Sequence, residues 1–153
     1  MKTQNDVIDL LNSLLEENCD SKRGYQKAAE QVDDPALKGL FMSLSSQRDN
    51  FKLSIKEEIR FLEGEPIQYG PVAGAVQDAF SSPDLLLVLN TIEKTLEGCL
   101  NLESKRLAIY EQMLNGNDFE VSTRNLLIGQ QENIKLTLSD LRKARKNEGV
   151  VSL

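Results

Sequence analysis

Asn18, Arg48, Glu103 and Gln131 are polar side chains at positions where four successive apolar stripes should read Leu or Ile. Their spacing puts them at one depth. A hairpin pivoting near Asp33–Asp34 brings residue 18 level with 48 or 49, and one pivoting near Asn117 brings 103 level with 131. A single polar layer therefore crosses the middle of a four-helix bundle. Carboxylate-bridged metal bundles keep their ligands at that depth, with one Glu from each of two helices and Glu-x-x-His from each of the other two. This chain contains no histidine, and the positions three residues after Arg48 and Gln131 are Phe51 and Ile134. Of six ligands only Glu103 remains, and Arg48 puts a positive charge where a cation would sit. Metals held in bundles need several anionic or imidazole donors converging on one point, so no metal and no other cofactor is expected at this layer. The chemistry left to these residues is a buried, hydrogen-bonded ion pair between Arg48 and Glu103, with Asn18 and Gln131 meeting the remaining donors and acceptors. The competing reading puts each side chain at the bundle rim with its head in water, and that snorkelling arrangement is the one expected of Lys22.

Other functional classes find little support. With 24 acidic against 18 basic side chains the net charge is −6, which repels a nucleic-acid backbone or an anionic membrane. The basic run Arg142-Lys143-Ala144-Arg145-Lys146 is expected to end the last helix, where the helix dipole favours cations over any role in binding anions. Acidic pairs such as Glu16-Glu17, Asp33-Asp34 and Glu57-Glu58 read as solvated faces and caps. With no histidine, no activated cysteine and no Gly-rich phosphate loop, general bases and nucleophiles are scarce, and a non-catalytic protein is expected. Cys19 and Cys99 lie on apolar faces without a Cys-x-x-Cys partner and read as buried free thiols in a reducing cytoplasm. No stretch has the length or apolarity of a membrane span or a signal peptide.

The elements that must position the layer follow from periodicity. Composition rich in Leu, Glu, Lys and Gln, with 5% aromatics and no Trp, suits an all-α single domain over residues 1–153. Apolar steps of three and four place helices at about 4–32, 35–62, 84–114 and 119–146. Thr3-x-x-Asp6 reads as a capping box, and Asp34-Pro35 and Ser82-Pro83 as a cap followed by a first-turn proline. Gly64 and Pro66 stop the second helix, and six Gly or Pro residues punctuate 64–83, marking a long crossover. Within it, residues 72–80 suit a short helix lying on the bundle through Val72, Val76 and Phe80. Residues 147–153 read as a frayed tail. Two short hairpins joined by one long crossover is ferritin-like connectivity in an antiparallel four-helix bundle. The hairpins also repeat: Gln47–Ile55 matches Gln130–Leu138 at Gln, Asn, Lys and Leu, and Tyr25 and Tyr110 each follow a layer residue by seven.

The run Asn18-Cys19-Asp20-x-x-x-Gly24-Tyr25-x-x-Ala28-Ala29-Glu30 is joined by Asp34-Pro35-x-Leu37-Lys38, Gln47-Arg48-x-x-Phe51, Leu62-Glu63-Gly64-Glu65-Pro66 and Cys99-x-x-x-Glu103 with Tyr110-Glu111 beyond. Together these resemble the uncharacterised bacterial ferritin-like proteins, a domain-of-unknown-function family within the ferritin and rubrerythrin superfamily, over residues 7–145. The resemblance implies a cytoplasmic four-helix bundle with a stress-related role. It also implies that the pairing of Arg48 with Glu103 is a family trait in place of metal. Family members carry a His and a Trp in the crossover where this chain has Gln77 and Phe80. Two functions follow as expectations: a non-catalytic bundle acting through self-association or a protein partner, or a metal-binding oxidase or ferritin-type protein whose carboxylate site is displaced around Glu103.

Overall fold

In the computed structural model, which describes residues 3–68 and 92–151 with the side chains of 148–151 excepted, four helices and no strand are present: α1 (Gln4–Gln31), α2 (Pro35–Phe61), α3 (Ile92–Gly116) and α4 (Val121–Val151). The first two helices start at the expected caps. Thr3 and Asp6 exchange bonds, the Asp6 amide donating to Thr3 Oγ1 at 3.1 Å and the Thr3 amide to Asp6 Oδ2 at 3.0 Å. Asp34 accepts from the Leu37 amide at 3.3 Å, ahead of Pro35 in the first turn. These satisfy amides that a helix start leaves without intrahelical partners.

The three residues between α1 and α2 force an antiparallel hairpin, and α3 and α4 form the second. The hairpins dock with α1 beside α3 and α2 beside α4, while α2 and α3 lie on a diagonal without backbone contact. The apolar core comes in two blocks. One gathers Tyr25, Ala28, Val32, Phe41, Leu96 and Leu141 among others. The second gathers Leu11, Leu14, Ile59, Leu114, Phe119 and Leu127 among others. The start of α3 thus packs on the end of α1, and the start of α2 on the end of α4. Every neighbouring pair is antiparallel, and α2 ends at the opposite end of the bundle from where α3 begins. The expected short helix over 72–80 and the helix start at 84 lie outside the described residues, as do Gln77 and Phe80.

Three local expectations are corrected. First, α4 begins at Val121 rather than 119, because Phe119 is buried in the core and the first helical bond runs from the Arg124 amide to the Glu120 carbonyl at 2.9 Å. Second, α4 continues to Val151, through the segment expected to fray. Residues 147–151 hold no proline, and a single glycine, Gly149, costs a helix only about 1 kcal/mol. The run Arg142–Lys146 is consequently not in the last turn, which contains no basic residue, so the dipole does not account for it.

Third, the stop of α2 works differently from a glycine in the left-handed region. The Gly64 amide bonds to the Ile59 carbonyl at 2.8 Å and the Glu63 amide to the Arg60 carbonyl at 2.9 Å, a Schellman arrangement whose left-handed residue is Glu63 at φ 64°. Gly64 is required for a separate reason, since a Cβ there would lie 2.7–2.9 Å from the Ile8 side chain. Glu63→Gly is therefore expected to stabilise the protein by about 0.5–1 kcal/mol, removing the cost of a Cβ in that conformation. Gly64→Ala should destabilise it, and denaturant unfolding of the two variants checks the pair. Asn12 then holds the chain beyond the stop against α1, donating to the Glu65 carbonyl at 3.2 Å and accepting from the Ile67 amide at 2.8 Å.

Candidate functional site

A polar layer separates the two apolar blocks. At its centre Arg48 reaches across the bundle diagonal from α2 to Glu103 on α3, and both side chains are fully buried. Only long side chains can close that diagonal, because the two backbones do not approach. The contact is bidentate: Arg48 Nη1 donates to Glu103 Oε1 at 3.0 Å and Nη2 to Oε2. The planar guanidinium matches both carboxylate oxygens at once, which an ammonium cannot do.

Arg48 uses two further donors. Its Nη2 donates to Thr137 Oγ1 on α4 at 3.3 Å and its Nε to Gln47 Oε1 at 3.4 Å. Thr137 in turn donates to the Asn133 carbonyl one turn back, at 3.0 Å. The guanidinium carbon lies 5.1 Å from the Phe51 ring centre and 5.7 Å from that of Tyr25, where a cation gains from the electron-rich ring face. Burial alone works against its charge, but the Glu103 carboxylate more than offsets that and holds the Arg48 pKa above its ordinary value. A buried charge without such a partner would be expelled or neutralised.

A second chain of bonds ties α1, α3, α4 and α2 together beside this pair. Asn18 donates to Tyr110 Oη at 2.9 Å and to the Leu14 carbonyl at 2.9 Å. Tyr110 Oη donates to Gln130 Oε1 at 2.6 Å, and Gln130 Nε2 donates to the Phe51 carbonyl at 3.2 Å. Burial pushes the Tyr110 hydroxyl well above its usual range, ahead of the opposing effect of the Asn18 bond. It stays a neutral donor.

Of the four residues read from the stripes, Arg48 and Glu103 meet directly, and Asn18 lies beside them in the separate network through Tyr110 and Gln130. Gln131 does not belong. It is half-buried, and among the described residues it makes no hydrogen bond; the glutamine turned inward is Gln130. The reason lies in helix geometry. Residues 130 and 131 precede Ile134 by four and by three, so they flank it on either side of one apolar stripe. The repeat pairs 48 with 131, yet the buried stripe of Leu127, Ile134, Leu138 and Leu141 sets the rotation of α4, and that rotation turns Gln130 inward to the Tyr110 hydroxyl. Thr137 was also not singled out, since a threonine on an amphipathic helix carries no distinguishing signal. Lys22 is half-buried with its ammonium 3.2 Å from Asp49, as snorkelling requires.

Toward α1 the layer continues through a residue the stripes do not mark. Arg106 is buried on α3, with Nη1 3.6 Å from Glu103 Oε1 and Nη2 3.6 Å from Asp20 Oδ2. Asp20, buried on α1, has its carboxyl pushed up to about 6, by burial first and against the pull of Arg106. The nearby Cys99 thiol is pushed up to about 12 by burial, with Arg106 opposing, and is an inert thiol at neutral pH.

The residues of this layer do not fit a metal ion. Both oxygens of Glu103 face a guanidinium, and among the described residues no three Asp, Glu or Cys side chains gather closely enough to hold a cation. A cleft of about 290 Å³ between the first turns of α1 and α4 lies at the bundle end beside Leu62 and does not reach the layer. No described helix is long and apolar enough to cross a membrane. Comparison with known proteins adds a family but no activity. No curated protein matches the chain. A family model described as a domain of unknown function matches residues 6–116, which include Asn18, Arg48, Glu103 and Tyr110. The chain belongs to the domain-of-unknown-function family DUF2383.

Proposed function

We propose that this chain is a non-catalytic, ferritin-like bundle in which an ion pair occupies the depth where relatives in that superfamily would bind metal. It works as a structural and interaction module, through self-association or a protein partner, in the stress-related setting that the resemblance implies. One observation carries the reading: the bidentate, fully buried pair of Arg48 and Glu103, which puts a fixed organic cation where a metal ion would need empty space and free carboxylates. The four-helix arrangement and the opposite placement of the α2 end and the α3 start support ferritin-like connectivity.

Metal content is the direct test. Protein purified without chelator is expected to hold less than about 0.1 iron, manganese or zinc per chain, and chelator should leave its unfolding midpoint unchanged. One or two metal ions per chain, lost in Glu103→Gln, would overturn the proposal in favour of a displaced carboxylate site. Sedimentation of the same preparation reads the association state.

A further inference from the structure

Among the described residues, four buried polar atoms along α1 and α3 have no hydrogen-bond partner: Asp20 Oδ1, Ser21 Oγ, Tyr25 Oη and Arg106 Nε. They accompany a chain of alternating charges, Asp20, Arg106, Glu103 and Arg48, that runs from the α1–α3 seam to the bundle centre. Its two halves differ. Arg48 and Glu103 are closed against each other, with every carboxylate oxygen accepting a bond. Arg106 is divided between two carboxylates at 3.6 Å each, beyond hydrogen-bond range, with its Nε unused. We propose that this seam is a proton-operated latch, in which ionised Asp20 draws Arg106 outward along α1 and protonated Asp20 releases it to Glu103.

The groups facing Asp20 allow this. Among the described residues they are Arg106 from α3, with Glu103 behind it, and Glu16, Glu17 and Arg23 from α1 itself. The two glutamates work with burial to favour the neutral carboxyl, and Arg106 and Arg23 work against it. The chain has no histidine, so no side chain with an ordinary pKa titrates between pH 5 and 8. The Asp20 carboxyl, raised from 3.8 to about 6, falls in that window. Asp49, on α2 and paired with Lys22 of α1, is shifted downward and leaves the window untouched.

The sign follows from linkage. The folded state binds a proton at Asp20 that the unfolded chain has already lost at the same pH, so stability falls as pH rises from about 4 through 6 and is flat beyond. Acidification should therefore stabilise the folded chain even as it frees Arg106 from Asp20, because the buried carboxylate no longer carries a charge, the reverse of an ordinary surface ion pair.

The test is a carboxyl NMR titration of the full chain, with hydrogen exchange of the α1 and α3 amides at pH 5 and 7.5 after correction for intrinsic rates. Asp20 is expected to titrate near 6, and protection around residues 20 and 106 to be several-fold higher at pH 5. In Asp20→Asn the two pH values should give equal protection, since the amide cannot ionise. An Asp20 midpoint near 4 in the wild type would overturn the proposal, whether or not the variant folds. The same pH response persisting in Asp20→Asn would overturn it equally.

Discussion

Arg48→Leu or Glu103→Leu alone is expected to lower the free energy of unfolding by about 3–5 kcal/mol, the largest loss for any single change in the layer. Each variant leaves the opposite charge in the middle of the bundle without its counterion. Coulombic attraction does not decide the magnitude, since burial cancels much of it; the cost is that of one desolvated ion abandoned. The double Leu variant should recover most of the loss, because both charges are then replaced by apolar volume between Tyr25, Phe51 and the two core blocks. Recovery will fall short of complete for a specific reason. Thr137 Oγ1 and Gln47 Oε1 each lose a donor when Arg48 is removed, and Arg106 loses one of its two carboxylates when Glu103 is removed. Denaturant unfolding of the four proteins gives the coupling energy, which should exceed 2 kcal/mol. Losses that add within about 0.5 kcal/mol would show that the two side chains do not act as partners.

The pair was legible in the sequence because depth in a hairpin is arithmetic. Short connections at Asp33–Asp34 and after Gly116 fix which residues are level, and a charge on an apolar stripe at mid-depth must find its opposite there. Thr3, Asp34 and Pro35 were legible for an equally local reason, since cap chemistry needs only three or four neighbouring residues. What was not legible depends on rotation and on distant partners. Arg106 sits three residues beyond Glu103 on a face that periodicity alone assigns to no partner, and its burial comes from the close seam with α1. Asp20 is two residues from Asn18, a spacing that places it on a different face of the helix. Its raised pKa arises from the surrounding packing. Glu63 shows the same limit at small scale. Glycine is the usual left-handed residue at a helix stop, so Gly64 drew the assignment, but contact with Ile8 on α1 had already claimed that position.

Residues 130 and 131 offer the sharpest check on the register of α4. Gln130→Leu removes the acceptor of the Tyr110 hydroxyl and the donor to the Phe51 carbonyl, leaving the hydroxyl proton without a partner inside the bundle. A buried donor so stranded costs about 1–3 kcal/mol, and Gln130→Leu should lose about that much. Tyr110→Phe breaks the same network from its centre, stranding Gln130 Oε1, while Asn18 keeps its bond to the Leu14 carbonyl. Its loss should therefore be of similar size. Combining the two changes should cost less than their sum, because neither partner is left to be stranded by the other. Gln131→Leu, at a half-buried site outside the network, should stay within about 0.5 kcal/mol of the wild type. The opposite ranking, with Gln131→Leu costly and Gln130→Leu neutral, would mean that α4 is rotated by about 100° about its axis, the angle between consecutive residues of a helix. Thr137 would then turn away from Arg48, and the central layer would have to be rebuilt around a different α4 face.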